Sequence, residues 1–249
     1  MTTLTDTSID VTFIITCYNY EDFVEEAINS CLNQKHSKIS FEVIFIDDGS
    51  SDNSWNIISS KFSKKVRCYA LGNVGIEKAS NFAVSKSRGR YVVRVDADDL
   101  LCETYLRNLE QSVYHRKDII YTDYYVIDTD GMVVDKVALP KFDKKEIISR
   151  GDFLATGTMY NKESFLSIGG FDCTLKNSGL ENFALILNAM EANYSFCQIR
   201  VPCFKYRIHN KSLSSIKRRE IMQTGEEIFS GHKLTNYSFG KFHPWAGRR

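Results

Sequence analysis

The sequence predicts an α/β protein with a mostly parallel central sheet flanked by helices. Over the first hundred residues, short β-branched apolar runs alternate with longer segments whose apolar side chains recur at helical spacing. Polar clusters rich in Asp and Gly directly follow several of these runs, which is typical of the carboxyl ends of parallel strands. Strands and helices that alternate in this way form a parallel sheet with helices on both faces.

The predicted elements follow one another in short steps. Apolar runs predict strands at residues 11–16, 41–46, 66–71 and 91–95. Helical spacing predicts helices at residues 21–33, 55–62 and 76–86, the second after the N-cap sequence Ser51-Asp52-Asn53. The second half is less regular and predicts helices at 101–114 and 180–192, a strand at 119–126, a hairpin turn at 129–131 followed by a strand at 132–134, and a tight turn at 169–172.

The composition restricts the class of protein. The chain has 249 residues, of which 43% are hydrophobic and 25% charged, as in a globular protein and unlike a disordered or collagen-like chain. No apolar run reaches the roughly 18 residues that span a bilayer, and the polar first ten residues predict no signal peptide. Seven scattered cysteines without a CxxC pattern indicate reduced thiols in a cytosolic protein, not a zinc site or a disulfide framework.

The charges are unevenly distributed along the chain. Residues 1–204 hold 22 basic and 28 acidic side chains, whereas residues 205–249 hold 10 basic and 3 acidic ones. This balance disfavours a globally basic nucleic-acid-binding protein. We therefore predict a globular domain at 1–215, a basic and aromatic tail at 216–249, and no nucleic-acid partner. Because basic and aromatic residues suit the headgroup region of an anionic membrane, the composition of the tail predicts a peripheral membrane contact. The alternative is a solvated tail that packs partly on the core.

Three polar clusters are expected to meet at one edge of the sheet. They follow the first, second and fourth predicted strands and read Thr16-Cys17-Tyr18-Asn19, Asp47-Asp48-Gly49-Ser50 and Asp96-Ala97-Asp98-Asp99. Carboxylates gathered in one place repel one another unless a cation compensates them. Hard oxygen ligands favour Mg²⁺ or Mn²⁺, which bind few carboxylates together with substrate phosphates. The clusters therefore predict a site for a metal-bound diphosphate.

Further motifs accompany these clusters, and the whole set resembles the family 2 inverting nucleotide-sugar glycosyltransferases. The resemblance covers roughly residues 9–215. Its other marks are the segments 27–34 and 43–52, Asn73-Val74-Gly75, Ala79-Ser80-Asn81, Gly89-Arg90-Tyr91, Gly169-Gly170-Phe171-Asp172, Glu181-Asn182-Phe183 and Tyr206-Arg207-Ile208-His209.

The resemblance implies a fold and an activity. The fold is the GT-A (Rossmann-like) fold, with a nucleotide-sugar half at about residues 9–100 and an acceptor half at about residues 101–215. The activity is transfer, with inversion, of a hexosyl or N-acetylhexosaminyl group from a UDP-sugar to a hydroxyl of a glycan or lipid-linked glycan, with Mn²⁺ or Mg²⁺ as cofactor. It implies work in bacterial cell-envelope polysaccharide biosynthesis, in the cytoplasm or peripherally on the cytoplasmic face of the inner membrane.

The resemblance also gives roles to the residues of the donor pocket. Thr16 and Tyr18 match residues that line the nucleoside pocket, Tyr18 by stacking on the base. Asp48 matches the carboxylate that accepts a hydrogen bond from the imide N–H of uracil, and Asp96 matches a ligand of the ribose hydroxyls. Lys78 is the candidate for a positive charge that the family usually supplies two residues later; a solvated surface lysine is the alternative.

Metal ligands are implied in the same way. Asp98, which also contacts the donor, and the adjacent Asp99 match the metal-holding end of the DxD motif. His209 matches a late histidine that completes the metal or diphosphate site in related enzymes. The metal bridges the donor diphosphate and neutralises the leaving nucleoside diphosphate as the glycosidic bond breaks.

The catalytic base is the point at which the sequence departs from the family. Inverting transfer needs a carboxylate that takes the proton from the acceptor hydroxyl, and the family places Asp second in a Glu-Asp pair. Here the pair is Glu181-Asn182, and an amide cannot serve as a base. Glu181 is therefore our candidate, with a one-residue slip of the alignment or slow or absent transfer as alternatives. Asp172 is the next candidate.

Two other functions compete with sugar transfer. An aspartyl-nucleophile phosphatase of the haloacid-dehalogenase type would also carry Asp-x-Asp after a hydrophobic strand, but on the first strand, not the fourth. A nucleotide-sugar-binding module without catalytic activity is motivated by Asn182. No GxxxxGK[ST] or GxSxG motif occurs, so nucleotide hydrolysis and serine-esterase chemistry have no support.

Overall fold

The sheet and its helices alternate along the chain as predicted. The structure is a computed structural model that describes residues 9–143, 156–174, 177, 179–212, 216–217, 221 and 228. Its strands are β1 (Val11–Cys17), β2 (Phe41–Asp47), β3 (Arg67–Ala70), β4 (Tyr91–Asp96), β5 (Leu100–Leu101), β6 (Ile119–Ile127), β7 (Val133–Val137), β8 (Met159–Asn161) and β9 (Phe196–Arg207). Its helices are α1 (Val24–Leu32), α2 (Ser54–Phe62), α3 (Ile76–Lys86), α4 (Tyr105–Tyr114), α5 (Lys162–Ser167) and α6 (Glu181–Glu191).

All the described strands belong to one sheet, whose order is β3-β2-β1-β4-β8-β6-β9-β5, with β7 paired to β6. The first four strands in this order run parallel. Beyond β4 the sheet is mixed, because β8 runs antiparallel to both β4 and β6. The long strands β6 and β9 run parallel to each other, and β5 returns antiparallel to β9.

The two faces of the sheet carry two hydrophobic cores. Phe13 and Ile15 of β1 belong to one core and Ile14 belongs to the other, so β1 is buried on both faces. Side chains of α1, α2 and α4 complete the first core, and side chains of α3, α5 and α6 complete the second. This burial explains the nearly continuous apolar runs of the parallel strands. Ile221 also lies buried in the second core.

The structure differs from the sequence-based expectations in the second half. The helix predicted at 101–114 begins only at Tyr105, because Leu100 and Leu101 pair with β9 as β5. The strands β8 and β9 and the short helix α5 were not predicted. The first helix begins at Val24 and not at Glu21, because Glu21 is bound through its backbone N–H and its carboxylate to Asp52 and Asn53.

No helix in the described part of the chain is long and apolar enough to cross a membrane. Most of the predicted tail, 216–249, lies outside the described residues, and so does the predicted membrane contact.

Candidate active site

The carboxyl ends of β1, β2 and β4 bring the predicted donor-pocket residues to one edge of the sheet. The parallel register pairs Thr16 with Asp96 and Cys17 with Asp47. Thr16 is buried, and its hydroxyl oxygen has no hydrogen-bond partner among the described residues. The register therefore juxtaposes two of the residues predicted to bind the nucleoside.

The loops after β1 and β2 are joined by hydrogen bonds. Asn19, which has a positive φ of 62°, accepts a hydrogen bond from the Ser51 backbone N–H at 2.8 Å through its side chain. Its own backbone N–H donates to the Ser50 hydroxyl at 3.0 Å. Tyr18, between these anchored positions, is 46% exposed. Its ring is therefore accessible on a loop of fixed shape.

Asp48 connects the loop after β2 to the start of α3. Its Oδ1 accepts the Val74 backbone N–H at 2.7 Å, and its Oδ2 accepts the Gly75 backbone N–H at 2.8 Å. The neighbouring Asp47 closes the turn by accepting the backbone N–H groups of Gly49 and Ser50. Each Asp48 oxygen retains lone-pair capacity, so the predicted role in base recognition is compatible with this anchoring.

Asp98 and His209 meet although they are far apart in the sequence. His209 Nε2 lies 2.8 Å from Asp98 Oδ2, and both side chains are largely buried. The imidazole also packs against the rings of Tyr20 and Phe23. Asp99 is oriented differently: its Oδ1 accepts the Arg207 backbone N–H at 2.8 Å, and its buried Oδ2 has no hydrogen-bond partner within the described residues.

Arg207 is the side chain that holds this arrangement together. It is 1% exposed and lies at the end of β9, two residues before His209. Its Nε donates to the Asp98 carbonyl at 2.8 Å, its Nη1 to the Thr129 carbonyl at 2.9 Å, and its Nη2 to Glu26 Oε2 at 2.7 Å. In the sequence, Arg207 belongs to the motif Tyr206-Arg207-Ile208-His209, but the sequence analysis predicted no role for it.

Glu181, the candidate base, lies at the start of α6 and is buried. Its Oε1 accepts a 2.6 Å hydrogen bond from Arg94 Nη1. The same guanidinium approaches Asp96, with Nε 3.1 Å from Asp96 Oδ1. Glu181 Oε2 is buried without a hydrogen-bond partner among the described residues. Sequence reasoning missed Arg94, although a charged side chain within the apolar strand sequence Val92-Val93-Arg94-Val95 is a detectable signal.

The remaining candidates have simpler surroundings. Asn182 is buried, and its Oδ1 accepts a 3.4 Å hydrogen bond from the Tyr160 hydroxyl. Lys78 lies exposed on α3 and forms no ion pair with the described residues. Ser80, where the family usually has Arg, is buried, and its hydroxyl has no hydrogen-bond partner in the described part of the chain.

Burial and mutual repulsion shift two carboxyl pKa values upward. Burial raises the pKa of Asp96 to about 6; Arg94 opposes the rise, whereas Asp98 and Glu181 add to it. Burial also raises the pKa of Asp99 well above its ordinary value, and the neighbouring charges of Asp98 and Asp96 add to the shift. Both shifts show that carboxylates are crowded together at this edge of the sheet.

The donor set fits a divalent cation, although it is not a complete protein cage. Within the described residues, no group of three His, Cys, Asp or Glu side chains is placed to hold a metal ion. Within the described part of the chain, the guanidinium of Arg94 contacts the carboxylates of Asp96 and Glu181, His209 contacts that of Asp98, and the carboxylate of Asp99 accepts the Arg207 backbone N–H. Mg²⁺ and Mn²⁺ commonly use one or two carboxylates together with substrate phosphates, so Asp98 and its neighbours suffice on the protein side.

The fold is the GT-A fold, as two structural neighbours show. The structure is similar to S. aureus TarS in complex with UDP-GlcNAc, with a TM-score of 0.69 at 18% identity over 93% of this chain and 74% of that one. It is equally similar, with a TM-score of 0.69 at 16% identity, to the mannosyltransferase PcManGT from Pyrobaculum calidifontis in complex with GDP-Man and Mn²⁺, over 92% of this chain and 65% of that one.

The family follows from the sequence match. Residues 12–169 match glycosyl transferase family 2, and the chain belongs to this family of sugar-transferring enzymes. It is 26% identical to an uncharacterized glycosyltransferase of Haemophilus influenzae, over 90% of this chain and 89% of that protein. It is 25% identical to the UDP-Glc:alpha-D-GlcNAc-diphosphoundecaprenol beta-1,3-glucosyltransferase WfaP of Escherichia coli, over 88% of this chain and 86% of that protein. The match to chondroitin synthase of Pasteurella multocida, at 23% identity, covers 93% of this chain but 24% of that protein.

Proposed function

We propose that the chain transfers a sugar from a UDP-sugar to a hydroxyl of a glycan or lipid-linked glycan, with inversion and with Mn²⁺ or Mg²⁺ bound. The observation that carries the proposal is the meeting of Asp96, Asp98, Glu181 and His209 at the carboxyl edge of the sheet. Relatives support the donor and acceptor: WfaP is named for UDP-Glc and a diphosphoundecaprenol-linked sugar, and TarS has been solved with UDP-GlcNAc.

In this proposal the donor nucleoside lies across the ends of β1, β2 and β4. Tyr18 stacks on the uracil, Thr16 lines the same pocket, and Asp48 accepts the imide N–H. Asp96 binds the ribose hydroxyls. Lys78 supplies positive charge on the α3 side of the diphosphate.

The cation would be held by Asp98, with Asp99 and His209 beside it. When bound, it would neutralise the negative charge of the leaving nucleoside diphosphate. Glu181 takes the proton from the acceptor hydroxyl as that oxygen attacks the anomeric carbon from the opposite side of the sugar. The Oε2 atom suits this role because Oε1 is held by Arg94.

The test is metal-dependent binding followed by transfer. UDP should raise the unfolding temperature of the protein with Mn²⁺ present and should not do so in excess chelator. UDP release from UDP-glucose or UDP-GlcNAc should show the same metal dependence. Asp98→Ala should abolish both effects and leave the far-UV circular dichroism spectrum unchanged, whereas the matched control Asp135→Ala, on the exposed strand β7, should behave as the parent protein. Undiminished UDP release in excess chelator would remove the metal from the proposal.

Asn182 favours one other function, that of a nucleotide-sugar-binding module without catalytic activity. An amide stands where the family places its base, so donor binding could persist without transfer. This function predicts UDP binding with Mn²⁺ but no release of UDP from any donor beyond the rate without protein. The same two measurements therefore distinguish the two functions.

A further inference from the structure

Arg94 is the buried centre of an ion-pair cluster, and the proposed function uses it only as the group that holds Glu181 Oε1. It lies in β4 and is 7% exposed. Its Nη1 donates to Glu181 Oε1 at 2.6 Å, and its Nε lies 3.1 Å from Asp96 Oδ1. The centre of its guanidinium lies 5.3 Å from the centre of the Phe171 ring. One side chain thus connects β4, the start of α6 and the turn at residues 169–172.

The ring that supports the guanidinium is itself fixed in place. Asn81 of α3 donates from Nδ2 to the Phe171 carbonyl at 2.8 Å and accepts the Phe171 backbone N–H at 3.0 Å. The Arg94 carbonyl accepts the Gly157 backbone N–H at 2.9 Å, which anchors the main chain at the same position. The guanidinium therefore has little freedom to move relative to the carboxylates.

We infer that Arg94 is a positioning residue that holds the ribose-binding carboxylate of Asp96 and the base Glu181 at a fixed separation. The inference rests on the proposed function, which gives those two carboxylates their roles. The buried carboxylate of Glu181 and the partly buried carboxylate of Asp96 repel each other, and without a cation between them they would move apart. The guanidinium contacts both Asp96, which binds the donor, and Glu181, which activates the acceptor. Arg94 therefore sets the position of the donor relative to the acceptor.

Lysine could not replace arginine in this role. A guanidinium presents several N–H groups in a rigid plane, so it can reach two carboxylates in different directions. An ammonium on a flexible stem is a point charge and would pair with one of the two carboxylates at a time. Charge alone is therefore insufficient, and Arg94→Lys isolates the geometric contribution.

The experiment compares Arg94→Lys with Arg67→Lys as a matched control. Arg67 pairs with Glu42 at 3.1 Å at the opposite, amino end of the sheet. UDP release from UDP-glucose and UDP-GlcNAc is measured with Mn²⁺, and the unfolding temperature is recorded for each protein. Because misplacement by about 1 Å can cost about 100-fold in rate, Arg94→Lys should lower kcat by about 10- to 100-fold and raise the donor KM. Arg67→Lys should leave both constants within about 2-fold of the parent, as is usual for a change remote from the reacting groups.

A double substitution shows whether Arg94 acts through Glu181. Glu181→Gln alone should lower kcat, and adding Arg94→Lys should lower kcat no further while still raising the donor KM through Asp96. Multiplying effects on kcat, or an Arg94→Lys enzyme that matches Arg67→Lys, would overturn the inference and leave the proposed function standing. A parent protein that releases no UDP from any donor would overturn both together.

If Arg94→Lys does not fold, a second comparison tests the inference, between a double variant and Glu181→Gln alone. The double variant Arg94→Met with Glu181→Gln removes the charge of both ion-pair partners and keeps side chains of similar length. It should fold, have the kcat of Glu181→Gln and show a raised donor KM. A donor KM equal to that of Glu181→Gln would overturn the inference.

Discussion

At the scale of single residues, the candidate site depends on buried charges that compensate one another incompletely. The guanidinium of Arg94 contacts the carboxylates of Asp96 and Glu181. The guanidinium of Arg207 pairs with Glu26 and donates to the Asp98 backbone carbonyl, and the Arg207 backbone N–H donates to the Asp99 carboxylate. Removing one member of such a cluster leaves a buried or partly buried charge without its partner. Conservative substitutions that keep the volume and remove one function at a time are therefore the informative ones.

The first prediction concerns the base. Glu181→Gln should keep the affinity for UDP and lower kcat by about 100-fold, the usual scale of general acid–base catalysis. Asn182→Asp should raise kcat substantially if position 182 is the true base position, because it restores an ionisable oxygen. Steady-state kinetics of UDP release by the two variants decides whether residue 181 or residue 182 is the position of the base. Glu191→Gln, at the exposed end of the same helix α6, is the control.

A Glu181→Gln enzyme as active as the parent would contradict this assignment. Glu181 would then be only an acidic residue in the first turn of α6, where the helix dipole favours it. Asp172, in the turn that precedes α6, would be the next candidate and would be tested by the same kinetics.

At the scale of elements, Asp118 ties the start of β6 to α5 and to the start of β9. Its carboxylate accepts 2.6 Å hydrogen bonds from the hydroxyls of Ser164 and Ser195 and a 2.8 Å hydrogen bond from the Ser195 backbone N–H. Burial alone would raise the pKa of Asp118, but these hydrogen bonds outweigh it and hold the pKa below its ordinary value.

The second prediction follows from that lowered pKa. The stabilisation by Asp118 is present above the ordinary pKa of an Asp, about 4, and is lost as the pH falls through the lower pKa of the folded state. Asp118→Asn should therefore lower the free energy of unfolding by about 1–3 kcal/mol at pH 7, since it removes charge-assisted hydrogen bonds. Urea unfolding at several pH values should show the difference shrinking below pH 4. A difference that is constant down to pH 3 would contradict the assignment.

At the scale of the whole molecule, the negative charge at the carboxyl edge links stability to metal binding. Because the pKa of Asp96 is raised to about 6 in the folded protein, protonation of Asp96 favours the folded state. This contribution to the free energy of unfolding is complete below the pKa of Asp96 in the unfolded chain and is lost as the pH rises through about 6. Asp99 acts in the same direction. The third prediction is that Mn²⁺ raises the unfolding temperature more at pH 7.5 than at pH 5, because a cation binds the ionised carboxylates.

Thermal unfolding with and without Mn²⁺ measures this effect, with Asp98→Ala as the variant expected to show none. An equal Mn²⁺ shift at both pH values would argue against carboxylate ligands. NaCl at the same ionic strength controls for general screening of charge.

The fourth prediction concerns the basic tail. Ile221 and Ile228 pack on the second core, so the deletion begins after them, at residue 230. The removed segment contains Lys233, Lys241, Arg248 and Arg249 together with aromatic residues, and each cation near an anionic surface contributes about 1 kcal/mol. Removing 230–249 should weaken binding to phosphatidylserine vesicles by at least about 10-fold at low salt. Identical sedimentation of the full and shortened chains with vesicles would discard a membrane contact through residues 230–249.

Much of the first half could be predicted from the sequence, because its information is local. The strands that became β1, β2, β3 and β4 were visible as apolar runs, and the polar clusters at their ends followed directly in the chain. A parallel sheet brings those ends to one edge whatever the details of packing. The strand β9 was harder to predict, because many of its residues are half-buried and its apolar and polar residues do not alternate clearly. The strand β5 was missed because it contains only Leu100 and Leu101.

By itself, the sequence determined the α/β class, the carboxylate clusters and the departure from the family at Asn182, since each depends on residue types at short spacing. Only the tertiary structure decided which of those groups compensate one another. Arg94 reaches Glu181 across 87 positions, and His209 reaches Asp98 across 111. Such pairings depend on strand order and on the burial that removes water from both partners, and no local pattern encodes either.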